Sequence, residues 1–173
     1  MTSMFPSLYR DGSGDKNRAT NKWAPGDPTP GTVIAAFVFF LVIAAFMILS
    51  GFFLVTAHWD REPLTPEEAD RMNFVRQNVR ILGVINIVVG LVVAALSTGV
   101  KDGYRGKRRL VLWCSALGMF FMLAGWVFQF TGPGQALLAL GLAVANLLAW
   151  RPASDPYFDA GHRLEQHQED TSS

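Results

Sequence analysis

Cysteine is scarce in this sequence, and charge is missing from four long segments. Cys114 is the only cysteine among 173 residues, which excludes an intramolecular disulfide. Only 17% of the residues are charged, against roughly a quarter in soluble domains. The uncharged segments are Val33–Thr56 (24 residues), Ile81–Val100 (20), Leu110–Thr131 (22) and Gly132–Trp150 (19). Because about 20 apolar residues cross the ~30 Å of hydrocarbon in a bilayer, the sequence predicts four transmembrane helices and leaves no room for a separate soluble domain.

Asp, Glu, Lys, Arg and His are absent from these segments, and the one proline in them is Pro133, at the hairpin before the fourth helix. Intramembrane charge usually marks ion or proton pathways, and broken helices usually mark transporters. The chain also lacks Walker, H-E-x-x-H, G-x-S-x-G and C-x-x-C motifs, and no histidine lies within a span to hold haem. A net charge of +1 without a long basic run gives no indication of nucleic-acid binding. The sequence therefore predicts no enzyme, no cofactor, no metal site and no identifiable small-molecule substrate.

Four residues remain as possible carriers of chemistry. His58 could be an axial ligand or proton carrier, but an interfacial histidine with ordinary hydrogen bonds explains it more simply. His162 and His167 could bind a metal or simply be solvated in a polar tail. Cys114 could be palmitoylated, although a small buried apolar residue is the default interpretation.

The second span is predicted to continue beyond the membrane. Thr65 suits the N-cap, Pro66 the first helical position, and Glu68 the reciprocal position of a capping box. Apolar residues then recur at helical spacing from Met72 into the span. A helix from residue 66 to residue 97 would be about 48 Å long, so its first turns would stand outside the hydrocarbon.

Stripes of small and weakly polar residues run along the second, third and fourth spans. Such stripes let helices approach closely, and amides in them form interhelical hydrogen bonds of about 0.6–2 kcal/mol. Either these three helices pack together, or one stripe is left for another protein or a lipid. Replacing Gly83 or Gly90 with Leu is expected to disrupt the association. The predicted helix-packing interface comprises Gly83, Asn86, Gly90, Ala94, Ser97, Gly118, Gly125, Gln129, Ala143 and Asn146.

Basic residues predict the orientation. Eleven of the fifteen lie in the two tails and the loop of residues 101–109, which places both termini in the cytoplasm of a multi-pass plasma-membrane protein. Residues 1–31 form a Pro/Gly-rich tail, and residues 152–173 a polar, mobile tail. Residues 32–151 form an all-α, integral-membrane four-helix bundle with spans of about 33–57, 81–100, 110–131 and 133–150. The predicted contacts with lipid headgroups are Trp23, Trp59, Arg76, Arg80, Lys107, Arg108, Arg109 and Trp150.

Four features of the layout carry a family resemblance: the Pro-rich tail through Pro30, the Phe-rich first span, the capped helix at Thr65–Glu68 and the hairpin at Thr131–Gly134. Together they resemble the small four-helix membrane proteins of actinobacteria. Some of those are similar in size and layout to accessory subunits of the cytochrome bcc–aa3 respiratory supercomplex. The resemblance implies a non-catalytic subunit among larger redox subunits that carry electron transport.

Three functions are therefore open. The first is an accessory or assembly subunit whose partners are membrane lipids and a larger integral-membrane complex. The second is a small oligomeric transporter or channel, against which the lack of intramembrane charge speaks. The third is an enzyme acting on lipids, for which only His58, Asp60 and the loop of residues 60–71 supply interfacial groups, without catalytic spacing.

Overall fold

The computed structural model describes residues 27–58 and 63–161, and within these ranges the regular secondary structure is all helical. Helices α1, α2 and α3 are each long and apolar enough to cross a membrane, as the sequence predicts. Helix α4 is apolar but has only 16 residues. The helices are α1 (Gly31–Thr56), α2 (Pro66–Lys101), α3 (Arg105–Val127) and α4 (Gly134–Ala149), followed by a 3-10 turn at Pro152–Ser154 and a helical stretch at 155–161.

Helix α2 begins at the predicted cap and continues for 36 residues without a break. The Glu68 amide donates a hydrogen bond to the Thr65 hydroxyl at 3.2 Å. The Glu68 carboxylate in turn accepts from the amide of Leu64 at 3.0 Å, one residue earlier than in a standard capping box. The prediction of one helix across the polar and apolar segments is confirmed, and the helix extends four residues past Ser97.

Each helix packs against two neighbours around a shared interior. Helix α1 contacts α2 and α4, and α3 contacts the same two helices. Helix α1 contributes residues at spacings of three and four, which form one face of a helix. This face is small or flexible at most positions, while the large rings of Phe39, Phe46, Phe52 and Phe53 point outward. Its buried positions are Val33, Ala36, Phe40, Ala44, Met47 and Gly51.

The stripe of small residues on α2 faces α1. A Cβ atom added to Gly83 would lie 2.8 Å from the carbonyl oxygen of Gly51, and one added to Gly51 would lie 2.5 Å from that of Gly83. A Cβ atom added to Gly90 would likewise lie 3.0 Å from the carbonyl oxygen of Ala44. The two backbones therefore touch, and the association that the stripe supports is formed within the chain, with the first span as its partner.

Helix α3 ends earlier than predicted, and Gln129 is not part of its packing face. The helix stops at Val127, and Gln129 is exposed with φ of 59°. The amide of Phe130 bonds to the carbonyl of Gly125 at 2.9 Å, and that of Gln129 to Trp126 at 3.0 Å. These are the two bonds of a Schellman motif, in which the residue after the C-cap adopts the left-handed conformation. The prediction of Gln129 as an interface amide is wrong for this reason.

The chain folds on beyond α4, where the sequence predicts a mobile tail. Phe158 is fully buried, and the hydroxyls of Ser154 and Thr32 lie 2.9 Å apart. The Tyr157 hydroxyl donates to the carbonyl of Lys101 at the end of α2. Residues 152–161 thus pack against one end of the helices. His162, His167, Asp60 and the tryptophans at 23 and 59 lie outside the described residues.

The contact between α1 and α2 predicts a sharp difference between two glycine substitutions. Gly83→Ala places a methyl group against a backbone carbonyl, which cannot move aside as a side chain can, and overpacking of this kind costs about 1–3 kcal/mol. Unfolding by SDS in mixed micelles, followed by circular dichroism, measures the loss.

Gly106→Ala in α3 is the matched control, because nothing lies within 4 Å of the added Cβ. It is expected to be neutral or to stabilise the protein by up to about 1 kcal/mol. Equal effects of the two substitutions would contradict the close approach of α1 and α2.

Candidate functional site

A chain of hydrogen-bonded side chains joins three helices in the interior. The Asn86 amide donates to the Gln135 side-chain oxygen at 2.9 Å, and the Gln135 amide donates to the Ser50 hydroxyl at 2.7 Å. Asn86 and Gln135 are 3% and 6% exposed. Only Asn86 is among the predicted interface residues. Gln135 was missed, although it shares a helical face with Ala139 and Asn146, and that spacing could have identified it.

The predicted amide at Asn146 bonds within its own helix. Its side-chain amide donates to the carbonyl of Leu142 at 2.8 Å, while its buried oxygen Oδ1 has no partner in the described part of the chain. The fully buried Ser115 hydroxyl is likewise unpaired there. Of the three amides singled out in the sequence, Asn86 is therefore the one that bonds between helices.

The other predicted interface residues lie against neighbouring helices of this chain. On α3, a Cβ atom added to Gly118 would lie 2.8 Å from the Val89 side chain of α2, and one added to Gly125 would lie 2.8 Å from the Leu82 side chain. Ser97 is fully buried and donates to the carbonyl of Ala94 in its own helix. Ala94 and Ala143 are half-buried at the edges of the contact faces. The small-residue stripes are thus occupied within the chain.

Arg108 is buried rather than directed toward lipid headgroups as predicted. Its guanidinium carbon lies 4.1 Å from the ring centroid of Trp150 and 4.5 Å from that of Phe158. Both terminal nitrogens donate to one carboxylate oxygen of Asp155, at 2.9 and 3.0 Å. The correction has a physical cause: the folded residues 152–161 supply rings and a carboxylate that remove this charge from the surface.

A cleft of about 240 Å³ lies beside this cluster. Its lining carries two carboxylates and three guanidinium groups, so most of the charge is balanced within the protein. We call this cluster the clasp, because its ion pairs join α3 to the C-terminal segment. Arg105 and Asp159 form the outer ion pair at 3.1 Å, with both side chains about half exposed. The cleft is lined by Arg105, Arg108, Arg109, Trp150, Asp155 and Asp159.

An apolar groove of about 750 Å³ separates the outer surfaces of α1 and α4. Phe46, Phe53 and Leu137 are 56–70% exposed along it. The Ser50 hydroxyl at its wall is the terminal member of the interior hydrogen-bond chain. The groove is lined by Ile43, Phe46, Leu49, Ser50, Phe53, Leu54, Gly134, Leu137 and Leu138.

A second groove, of about 530 Å³, follows the outer face of α2 where its polar and apolar segments meet. Arg76 and Arg80 lie at its polar end, one helical turn apart. Like charges at this spacing oppose helix formation by a few tenths of a kcal/mol. The groove is lined by Asn73, Arg76, Gln77, Arg80, Ile81, Val84 and Ile85.

The remaining predicted headgroup contacts lie at the opposite end of α2. Lys107 and Arg109 are exposed, and the Lys107 ammonium lies 5.0 Å from the centroid of the Tyr104 ring. Trp150 is 40% exposed, with its ring also in contact with Arg108.

Chemically reactive residues are dispersed in the described ranges. No group of three or more His, Cys, Asp or Glu residues is close enough to hold a metal ion in residues 27–58 and 63–161. His58 makes one ordinary contact, 2.8 Å from its Nδ1 to the carbonyl oxygen of Thr56. Cys114 is a half-buried free thiol. Comparison of the chain with protein-family models, curated proteins and solved structures finds no significant match.

The clasp predicts different effects for the two aspartates. Asp155→Ala leaves a buried guanidinium without its acceptor, and charge-assisted hydrogen bonds contribute about 1.5–3 kcal/mol. Because Asp155 is itself 54% exposed, the lower part of that range is expected, which corresponds to roughly tenfold faster amide exchange in residues 155–161.

Asp159→Ala serves as the control because its pair with Arg105 is solvent-exposed on both sides and contributes less than about 1 kcal/mol. Hydrogen–deuterium exchange with mass spectrometry compares the two variants. Unchanged exchange in Asp155→Ala would show that the rings alone hold the segment.

Proposed function

We propose that the protein is a non-catalytic accessory or assembly subunit that packs against a larger complex in the membrane. The observation that carries the proposal is the contrast between small-residue faces that are occupied within the chain and an exterior groove that is open. Inside, Gly51, Gly83 and Gly90 face backbone carbonyls across the α1–α2 contact, and the Asn86 amide is joined through Gln135 to Ser50. Outside, the groove between α1 and α4 is apolar, open and unfilled by any described residue.

The groove suits a transmembrane helix of a partner. Helices associate in lipid through van der Waals packing and small residues, because lipid tails supply no hydrophobic driving force between them. Gly134 at the start of α4 leaves room for close approach, while Phe46 and Phe53 provide broad ring surfaces on the α1 wall. A helix seated here would also lie beside the Ser50 hydroxyl, which is half-buried.

We place the chain as four spans of the plasma membrane with both termini in the cytoplasm. The start of α1, the α2–α3 turn and the C-terminal segment lie at one end, linked by the contacts of Thr32 with Ser154 and Tyr157 with Lys101. That end carries the basic residues of 101–109, which supports a cytoplasmic location for it by the positive-inside rule. Helix α4 is about 24 Å long, so its span needs flanking residues or local thinning of the bilayer.

The proposed partner is a respiratory complex of the cytochrome bc–oxidase type. The layout resemblance to actinobacterial accessory subunits supports this choice. A multi-subunit redox complex also offers many transmembrane helices on which a small bundle can pack. In such a position this chain would contribute packing surface to the assembly, while the larger subunits carry the redox groups.

Mild-detergent purification from the native membrane tests the proposal, with two leucines of α4 compared. Leu137→Trp fills the groove, whereas Leu147→Trp adds the same bulk outside it; the two leucines are 68% and 70% exposed. Quantitative mass spectrometry is expected to find the partner subunits at least tenfold depleted with Leu137→Trp and retained with Leu147→Trp.

A reduced-minus-oxidised visible spectrum of the same samples tests the respiratory part of the proposal. Haem bands that follow the partner subunits support it. Recovery of the wild-type chain alone and monomeric would contradict the accessory role, and a stable partner without haem would contradict the respiratory assignment.

A further inference from the structure

The polar end of the α2 groove carries two positive charges that no described carboxylate pairs with. Arg76 and Arg80 share one face of the helix, and Asn73 and Gln77 lie beside them. Across residues 27–58 and 63–161, no carboxylate forms an ion pair with either guanidinium. Two adjacent guanidinium groups and two amides supply donors suited to the oxygens of a phosphate group.

The other end of the groove is apolar. Ile81 and Val84 are about half exposed, and Ile85 completes the wall one turn further along. These residues begin the segment of α2 that carries no charge. The groove therefore changes from cationic to apolar within about three helical turns, which is the order of headgroups and acyl chains in a bilayer.

We propose that this groove binds an anionic phospholipid, with the phosphodiester at Arg76 and Arg80 and an acyl chain along Ile81, Val84 and Ile85. The site lies at the end of α2 opposite the basic residues of 101–109. It is therefore separate from the contact with lipid headgroups predicted for those residues. The inference rests on the proposed membrane placement of α2 and is independent of the partner complex.

An amphiphile fits the groove better than the two nearest alternatives. Free inorganic phosphate would use the guanidinium groups but leave the apolar half of the groove empty. An acidic segment of a protein would bring backbone amides and carbonyls against Val84 and Ile85, where no described side chain offers a hydrogen bond. A lipid satisfies both ends, with its phosphodiester at the guanidinium groups and an acyl chain along the apolar residues.

Photo-cross-linking on the isolated, full-length protein in nanodiscs tests the site. The probes are phosphatidylglycerol and phosphatidylcholine carrying the same diazirine-labelled acyl chain. Mass spectrometry maps the adducts to residues 81–85. The phosphatidylglycerol yield there is expected to exceed the phosphatidylcholine yield about tenfold, and R76Q/R80Q is expected to remove that preference.

Two matched controls make the result specific. R71Q removes one charge from another face of the same helix and is expected to leave the lipid preference at 81–85 unchanged. The adducts near residues 101–109 report general lipid contact and serve as the internal reference. Val84→Trp fills the apolar half and is expected to lower the yield of both probes.

Three results would overturn the proposal. One is an undiminished preference in R76Q/R80Q, and another is an equal loss in R71Q, which would indicate bulk electrostatics. The third is displacement of the lipid probe by millimolar inorganic phosphate, which would indicate a free-anion site. Because no partner is present, failure here leaves the accessory role to be judged by the purification experiment alone.

Discussion

A polar side chain between membrane helices has no water to bond with, and that constraint governs this structure. The chain meets it by joining Asn86, Gln135 and Ser50, so that α2, α4 and α1 are tied at one level of the interior. The bonds require the helices to lie close together. The approach of Gly51 to Gly83, where each backbone contacts the other, provides that closeness between α1 and α2.

The small-residue faces are occupied within the chain, so the surfaces open to other molecules are on the outside. Four phenylalanine rings of α1 point away from the core, and the grooves beside α4 and along α2 are bordered by exposed side chains. The two grooves differ in chemistry: one is apolar throughout, and the other is cationic at one end. At the opposite end of α2, the C-terminal segment folds back and buries Arg108, which converts a headgroup-type residue into a structural one.

Local sequence signals predict where the helices of this fold lie, but not which residues contact one another across helices. The start of α2 is encoded by Thr65, Pro66 and Glu68 within four residues, and the apolar runs define the long helices without reference to anything else. The partner of a side chain is not encoded locally. Nothing near Gly83 in the sequence specifies Gly51, and nothing near Arg108 specifies Asp155, which is 47 positions away. Gln129 shows a related limit, because a backbone motif ended its helix where composition alone continued it.

The account depends most on the claim that interior amides pair with one another, and a double-mutant cycle on Asn86 and Gln135 tests it directly. Asn86→Leu, Gln135→Met and the double variant replace the amides with apolar groups of similar size, and SDS unfolding gives the free energy of each. A coupling energy of about 0.6–2 kcal/mol is expected, since either single variant leaves a buried amide unpaired and the double variant does not. Strictly additive losses would contradict the pairing and, with it, the view that the interior is closed and the outer surface is free for partners.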